Sequence, residues 1–531
     1  MTPAPREDQR RKTKDEGLRT IPLAAILLLA FALRLFRLGA ASLWYDEAVS
    51  VFLARQDLAT LTAHTAGDIH PPFYYYLLHF WLQAAGSSEL AASFLSLFFG
   101  LLLVAMAYAL GRRLFSSTVG LLAALLVALS PFNIWYSQEV RMYTLGAFLG
   151  MITLYCLIGF LEQEGDNQQP RVKGVRRVKW LGYVVAATLG LYTLYYFAFL
   201  LVFANLYVAW RLAFSSHSLP CRQRGRVGVG VSLPCRGRGR VGVGVAGPWL
   251  AAQAAVLLLY LPWLPVAIRQ VTQPPVPPWR GFVGLWEVLV QSWTALSLGQ
   301  SVLAPGESAP WPQLVQPMVI WLALLLFAAL YVLGLRQSPS HPLYPWHPCL
   351  LLGYTFVPLA LIYLISLAVP IFHVRYVFLY STPFYLVLAA GLMRLRRWVP
   401  LAALAALVVV AVAGGYAAQR YFFDPQYAPD DQRAAVRHIA AQVRPGDAVL
   451  LNAGYVYPTF VYYYPQAIAW RGRLADYPQV APPAAAAGVV VLQTGSIGGS
   501  QQLGWGNPQS DFYATTEEAT AAALAVVAQR H

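Results

Sequence analysis

Charged side chains are scarce in this chain of 531 residues. Asp, Glu, Lys and Arg together make up only 11% of it, whereas 58% of the residues are hydrophobic. A soluble globular domain carries about 25% charged residues, so the composition excludes an ordinary soluble protein. The apolar residues form runs close to the ~20 residues that a helix needs to cross a bilayer. The sequence therefore predicts a polytopic α-helical membrane protein.

Cysteine is equally rare, with four in the whole chain. Their number and spacing indicate neither a disulfide framework nor a Cys/His metal site. We predict no cofactor. A metal requirement stays open, because Asp46, Glu47 and Asp68 could still hold one ion.

The hydrophobic runs predict about eleven transmembrane helices within residues 20–418. The stretch 180–213 is divided into two spans because "YTLYYF" in its middle is typical of a tight turn, although one long tilted helix is the alternative. The predicted spans are 20–38, 90–111, 117–131, 142–161, 180–194, 195–213, 247–268, 317–335, 348–369, 377–393 and 399–418.

Negative charge is scarcer than positive charge, and the formal net charge is +15. Of the 38 Lys and Arg residues, 24 fall in alternate inter-span segments or at their borders, starting with the N-terminal tail 1–19. This is the positive-inside bias of a membrane protein with a cytoplasmic N-terminus. The excess charge therefore indicates topology, and no nucleic-acid partner is predicted. Arg34 and Arg37 end the first span, which we expect to stay uncleaved, and long Arg side chains can snorkel to the interface there.

One internal repeat lies in a predicted cytoplasmic insertion at 214–246. "SLPCRQRGRVGVGV" (218–231) is followed by "SLPCRGRGRVGVGV" (232–245). Gly, Arg and Val alternate here without an apolar face that could be buried. We expect a flexible insertion, and binding of RNA or acidic lipid by its arginines is the alternative.

The region 419–531 has a different character. A helix is predicted at 430–443, a strand at 447–452, a second strand at 486–495 and a closing helix at 515–529. We therefore expect a small α/β domain. An odd number of spans from a cytoplasmic start places this domain on the extracytoplasmic side.

Polar clusters converge on that same side. Ionised groups at a membrane are costly unless they are paired or face water, so we interpret the clusters as a functional site. The first cluster lies in the external loop 39–89. The clusters are Asp46 and Glu47 in "WYDEA", Asp68 and His70 in "GDIHPPFYYYLL", Gln138, Glu139 and Arg141 in "SQEVRMY", and His373, Arg375 and Tyr376 in "FHVRYVF". Simpler interpretations are helix capping by the acid pair, an Arg141–Glu139 ion pair and interface anchoring by Arg375.

These motifs, in this order, resemble bacterial membrane glycosyltransferases of the C-type fold, namely the protein O-mannosyltransferases (glycosyltransferase family 39) and the lipid A aminoarabinose transferases. The resemblance covers residues 20–418 and implies a polyprenyl-phosphate-linked sugar donor with a protein, lipid or glycan acceptor. It implies Asp46 as catalytic base beside Glu47, with an Arg141 that interacts with the acid pair. His70, Arg141, Arg375 and Tyr376 are the expected donor-phosphate residues, although His70 stands where the aminoarabinose transferases have Lys. Gln138, Glu139 and His373 are expected to support them.

The chemistry favours the same residue types. A polyprenyl-phosphate sugar already has a good leaving group, so the enzyme needs a carboxylate to accept the acceptor's proton and cations to hold the phosphate. Arg binds phosphate bidentately and does not deprotonate. We predict a plasma-membrane or inner-membrane glycosyltransferase, surrounded by membrane lipids, that inverts the anomeric centre at the extracytoplasmic face. A transporter or flippase for lipid-linked sugars is the alternative, but the chain lacks evident repeats among its spans.

Overall fold

The computed structural model describes residues 21–162, 173–215, 243–273, 281–303, 319–336, 347–452, 456–476, 488–494, 496–497 and 514–531. The predicted tail 1–19 and the repeated part of the predicted insertion, up to residue 242, lie outside the described residues. The described part is mostly helical and carries a small sheet near its C-terminus, which confirms the predicted fold class.

Helices dominate the described residues up to 442. They are α1 (Ile21–Leu35), α2 (Tyr45–Ala54), α3 (Leu58–Gly67), α4 (Phe73–Ala85), α5 (Glu89–Leu114), α6 (Ser117–Leu129), α7 (Pro131–Gln138), α8 (Tyr143–Glu162), α9 (Lys173–Leu191), α10 (Phe197–Ser215), α11 (Val243–Tyr260), α12 (Leu264–Thr272), α13 (Leu285–Leu298), α14 (Ile320–Leu335), α15 (His347–Ser366), a 3₁₀ helix (Val374–Tyr380), α16 (Thr382–Trp398), α17 (Pro400–Phe423) and α18 (Gln432–Gln442).

The apolar helices follow the predicted spans closely. Among the described residues, four helices (α5, α8, α15 and α17) are long and apolar enough to cross a membrane, and three bent pairs raise this number to seven. The bends are 58° between α6 and α7, 78° between α11 and α12, and 64° between the 3₁₀ helix and α16. Four shorter apolar helices, α1, α9, α10 and α14, occupy the remaining predicted segments. The chain is a membrane protein, while the count of eleven spans stays a prediction.

The break between α6 and α7 is built by Pro131 and Arg34. Pro131 lacks a backbone N–H, so α6 cannot continue, and Ser130 caps α7 by accepting the Asn133 N–H at 3.3 Å. Arg34 is fully buried and donates to the carbonyls of Ala128 (3.1 Å) and Val127 (3.0 Å) at the end of α6. The predicted snorkelling of Arg34 is therefore wrong, because its guanidinium satisfies carbonyls that the helix end leaves without partners.

The same guanidinium also reaches the helix after the break. Its Nε donates to Ser137 Oγ on α7 at 3.1 Å. Arg34 thus holds α7 against the end of α6 and fixes where the segment after α7 begins.

The C-terminal region is a small α/β unit. Its strands are β1 (Ala448–Leu451), β2 (Ile468–Arg473), β3 (Val489–Gln493), β4 (Ser496–Ile497) and β5 (Ala514–Thr515), and its later helices are α19 (Tyr457–Tyr463) and α20 (Glu517–Arg530). The first three strands form a parallel sheet in the order β1-β3-β2. The central strand, "VVVLQ", is buried along its whole length, as expected for a parallel strand covered on both faces. The predicted helices and two strands are present, whereas β2 and α19 were not predicted.

This unit rests on α2. Phe52 of α2 packs edge-on against Tyr457 of α19, with ring centroids 6.2 Å apart. The helix that begins with Asp46 is therefore packed between the membrane helices and the C-terminal unit.

Candidate active site

Asp46 meets two arginines that are distant in sequence. It lies in the first turn of α2, and its Oδ2 accepts a hydrogen bond from Arg375 Nη1 at 3.1 Å. Arg141 Nη2 lies 3.8 Å from the same oxygen. The Asp46 side chain keeps 22% of its surface exposed, so a reactant can approach it. The structure thus brings together three of the residues that the sequence analysis selected.

Arg141 holds the first turn of α2. It is buried between α7 and α8, and its Nη1 donates to the Asp46 carbonyl oxygen at 3.1 Å and to Ser50 Oγ at 3.2 Å. Its backbone carbonyl accepts from Ser96 Oγ on α5 at 3.2 Å. Arg141 therefore joins α2 and α5 to the segment that follows α7.

His70 completes this cluster. Its Nε2 lies 3.0 Å from Arg141 Nη2. A guanidinium group only donates hydrogen bonds, so Nε2 must be the acceptor in this contact and cannot carry a proton. His70 in this arrangement is consequently a neutral imidazole, and the phosphate-binding role predicted for it would require breaking its contact with Arg141.

The pKa of Asp46 is set by two opposing effects. Burial alone raises it, but the nearby charges of Arg141 and Arg375 outweigh burial and hold the pKa below its ordinary value. Asp46 is therefore a carboxylate at neutral pH, which is the state that can accept a proton.

Glu47 points away from Asp46. Its Oε1 accepts the Val140 N–H at 2.9 Å, and its Oε2 accepts the Trp44 N–H at 3.2 Å. Burial, with a further contribution from Glu139, raises the pKa of Glu47 to about 8. These contacts tie the start of α2 to the segment beside Arg141. A catalytic role for Glu47 stays a prediction.

The 3₁₀ helix presents Arg375 to the site. His373 caps this helix, with its Nδ1 accepting the Arg375 N–H at 3.1 Å, and the Arg375 guanidinium lies 5.6 Å above the Trp44 ring. Tyr376 stacks on Tyr196 with centroids 3.6 Å apart. Arg375 is 20% exposed and so lies, like Asp46, at an accessible edge of the cluster.

Gln138 and Glu139 join elements around the site. Gln138 Nε2 donates to the backbone oxygens of Arg34 and Phe36, each at 2.8 Å, and its Oε1 accepts from Tyr421 of α17 at 3.0 Å. Glu139 accepts the Trp135 indole N–H at 2.7 Å, and burial raises its pKa. Their supporting role stays a prediction, and these contacts are consistent with it.

Two further groups lie near the cluster. Asp68, which the sequence analysis placed in the clusters without a role in transfer, lies at the end of α3 and is buried, and this burial, aided by the negative charge of Asp46, raises its pKa to about 7. Tyr75 is also buried, and its hydroxyl has no hydrogen-bond partner in the described part of the chain. The motif "GDIHPPFYYYLL" indicated this region. Its spacing alone does not show which tyrosine of α4 lies near the cluster.

The acids do not converge as a metal site. In the described ranges, no three His, Cys, Asp or Glu side chains are grouped so that they could hold a metal ion. The combination of Asp46, Glu47 and Asp68 considered from the sequence is thus not assembled here.

Comparisons with known proteins give a family match over part of the chain. Residues 69–220 match the dolichyl-phosphate-mannose-protein mannosyltransferase family. No curated protein sequence matches. The matched residues, 69–220, contain Arg141 and His70 but neither Asp46 nor Arg375.

Solved structures extend the likeness to most of the chain. ArnT from Cupriavidus metallidurans in the apo state has a TM-score of 0.53 at 14% identity, covering 86% of both chains. The same protein bound to undecaprenyl phosphate gives 0.50 at 14% identity over the same shares. The archaeal oligosaccharyltransferase AglB from Archaeoglobus fulgidus, solved with an inhibitory peptide and a dolichol-phosphate, gives 0.51 at 12% identity, covering 87% of this chain and 63% of AglB.

At such low sequence identities, the structural similarity shows the fold alone. The family match adds a sequence resemblance over residues 69–220. The chain has the C-type glycosyltransferase fold, and residues 69–220 resemble the dolichyl-phosphate-mannose-protein mannosyltransferases.

Proposed function

We propose that this protein is a membrane glycosyltransferase that moves a sugar from a polyprenyl-phosphate-linked donor to an acceptor hydroxyl at the extracytoplasmic face. The observation that carries the proposal is the accessible Asp46 carboxylate held between Arg375 at 3.1 Å and Arg141 at 3.8 Å. A base beside a cation that can take up a phosphate is the pair of groups that this reaction requires. The family match and the undecaprenyl phosphate bound to the similar ArnT structure support the substrate class.

The proposed reaction is a single displacement. The acceptor oxygen attacks the anomeric carbon and forms the new glycosidic bond, while the bond from that carbon to the phosphate oxygen breaks. The acceptor proton passes to Asp46, and the electron pair of the broken bond leaves with the lipid phosphate. Attack opposite the leaving group inverts the anomeric centre.

The two arginines have different proposed roles. Arg375 is partly exposed, so the donor phosphate can replace Asp46 as its partner. Arg141 is buried, and both of its terminal nitrogens already have partners on α2 or His70. We assign Arg375 to the phosphate and Arg141 to the positioning of Asp46. Once Arg375 turns to the phosphate, Asp46 loses one neighbouring cation, and its basicity rises when the acceptor must be deprotonated.

Purified protein in proteoliposomes tests this proposal. We would add polyprenyl phosphates carrying radiolabelled hexoses together with lipid, glycan and peptide acceptors, and determine the anomeric configuration of any product. Transfer with inversion supports the proposal, whereas retention excludes the single displacement. Translocation of the labelled donor across the bilayer without any product would instead support the flippase.

A further inference from the structure

The segment before α2 is held by the C-terminal unit. Arg433 of α18 donates from Nη2 to the Ala41 carbonyl at 2.8 Å and to the Gly39 carbonyl at 3.3 Å. Ser42 Oγ donates to the Asp430 carbonyl at 2.8 Å. Residues 39–42 lie just before α2, which carries Asp46. These bonds therefore hold the backbone that leads into α2.

Glu89, at the start of α5, contacts both Arg433 and Tyr463 of the C-terminal unit. Its Oε1 forms an ion pair with Arg433 Nη2 at 2.6 Å and accepts from the Tyr463 hydroxyl at 2.6 Å. The Tyr463 oxygen in turn accepts the Leu43 N–H at 2.7 Å. The ion pair is mostly buried, with 23% of Arg433 and 20% of Glu89 exposed. Hydrogen bonds to ionised groups are about twice as strong as neutral ones.

A second contact lies at the other end of α2. The Tyr462 hydroxyl donates to the Ser87 carbonyl at 2.8 Å, and Arg55 lies 5.2 Å from the Tyr462 ring centroid. Together with the Phe52–Tyr457 contact, α19 therefore touches α2 near its end and the backbone just before its start.

We propose that α18 and α19 are a positioning element of the active site, in which Tyr463 and Arg433 hold the start of α2 so that Asp46 stays in register with Arg375. The proposal rests on the proposed function, because it assigns these residues to the geometry of the same base. Leu43 is three residues from Asp46, and the Asp46–Arg375 contact joins separate elements. A shift of the loop therefore moves the carboxylate while Arg375 stays with the 3₁₀ helix.

Substitution of Tyr463 by Phe tests the contact with little change in volume. The substitution leaves the Leu43 N–H without its acceptor and removes one donor from Glu89. We expect the maximal rate of transfer to fall about tenfold, less than the roughly hundredfold that a 1 Å misplacement can cost. Binding of undecaprenyl phosphate, the probe for the donor site, should change less than about twofold, because Arg375 is untouched.

The pH profile separates positioning from simple loss of folded protein. In the donor-free enzyme, Asp46 that moves away from Arg375 has a higher pKa, so the acid limb of kcat/KM for the donor should move to higher pH in Tyr463→Phe. A smaller amount of folded enzyme would lower the rate at every pH without moving the limb. Arg433→Lys keeps a cation for Glu89 and should retain more activity than Arg433→Met.

Tyr464→Phe is the matched control. Tyr464 is the next residue in the chain, and its hydroxyl donates to Gln466 within the C-terminal unit. This variant should keep the rate and the acid limb of the wild type. An unchanged rate and limb in Tyr463→Phe, or equal losses in both variants, would overturn the positioning role. Asp46→Asn separates the two proposals, because an active Asp46→Asn enzyme would refute Asp46 as the base whatever the Tyr463 variant shows.

Discussion

Asp46 illustrates how one carboxylate can be both buried and ionised. Transfer of a charge out of water raises the pKa of an acid, and only nearby opposite charges can reverse this effect. Arg141 and Arg375 supply those charges, with one of them buried and the other accessible. This asymmetry lets the accessible cation change partners while the buried one continues to hold α2.

The Arg375→Gln variant should bind the donor phosphate more weakly. Glutamine retains hydrogen-bonding capacity but removes the charge, and a hydrogen bond to a charged group contributes about 1.5–3 kcal/mol. We therefore expect the affinity for undecaprenyl phosphate to fall about 10-fold to 100-fold, with little change in the KM of the acceptor. Arg420→Gln is the control, because Arg420 pairs with Asp424 at 3.1 Å instead. Equal affinities of Arg375→Gln and wild type would remove Arg375 from the phosphate site.

Glu47 should make stability depend on pH. Its pKa rises from 4.5 to about 8 on folding, so the folded state binds the proton more tightly than the unfolded state. The contribution of Glu47 is therefore fully present below pH 4.5 and is lost as the pH rises through 8. We expect the thermal midpoint in detergent to fall over this range in the wild type, and to fall less in Glu47→Gln. Parallel curves would contradict the raised pKa.

Among the elements, the kink between α6 and α7 determines the position of Arg141, which follows shortly after the end of α7. Arg34 fills the gap left by Pro131, and α7 leads within three residues to Arg141. The kink therefore sets where Arg141 meets α2. Arg34, at the C-terminal end of α1, in this way influences a site that it does not contact.

Arg34→Met should destabilise the protein and reduce its activity. The substitution leaves the carbonyls of Val127 and Ala128 buried without donors, and each such group costs about 1–3 kcal/mol. We expect a clearly lower thermal midpoint and a slower transfer by the protein that remains folded. Arg37→Met is the control, since Arg37 is exposed and lies 5.0 Å over the Phe423 ring. A midpoint equal to that of the control would show that Arg34 does not hold the kink.

Regular elements could be predicted from the sequence because local physics determines them. The run 142–161 became α8 (Tyr143–Glu162), since a long apolar stretch in a bilayer must satisfy its backbone internally. The strand β2 was missed because "IAWRGR" combines two arginines with little burial and has no clear alternation. Hydrophobic periodicity therefore gave no signal for β2, whereas polar motifs did indicate the site.

Pairings between distant residues could not be predicted from these patterns. The Arg375–Asp46 contact spans 329 positions, and neither periodicity nor spacing reports on it. The clusters placed both residues at one surface, but the contact itself needed the fold. The same holds for Glu47, which shares a motif with Asp46 and yet turns to the Val140 backbone because successive helical residues point in different directions.

For the whole molecule, the contacts between the C-terminal unit and the loop before α2 imply that both lie on one side of the membrane. We expect an impermeant maleimide to label single cysteines at Ala40 and Ala435 from outside intact cells, after the native cysteines are replaced by serine. A cysteine at Arg396 should react only after permeabilisation. Labelling of positions 435 and 396 from the same side would contradict the proposed topology.

The central claim is that Asp46 removes the acceptor's proton during transfer from a lipid-phosphate donor. The most direct test compares single-turnover transfer by wild type and Asp46→Asn in proteoliposomes, with undecaprenyl phosphate binding measured in parallel. We predict a rate lower by about 10²–10⁴-fold with the phosphate still bound. A variant that binds the phosphate and transfers the sugar at the wild-type rate would contradict the account.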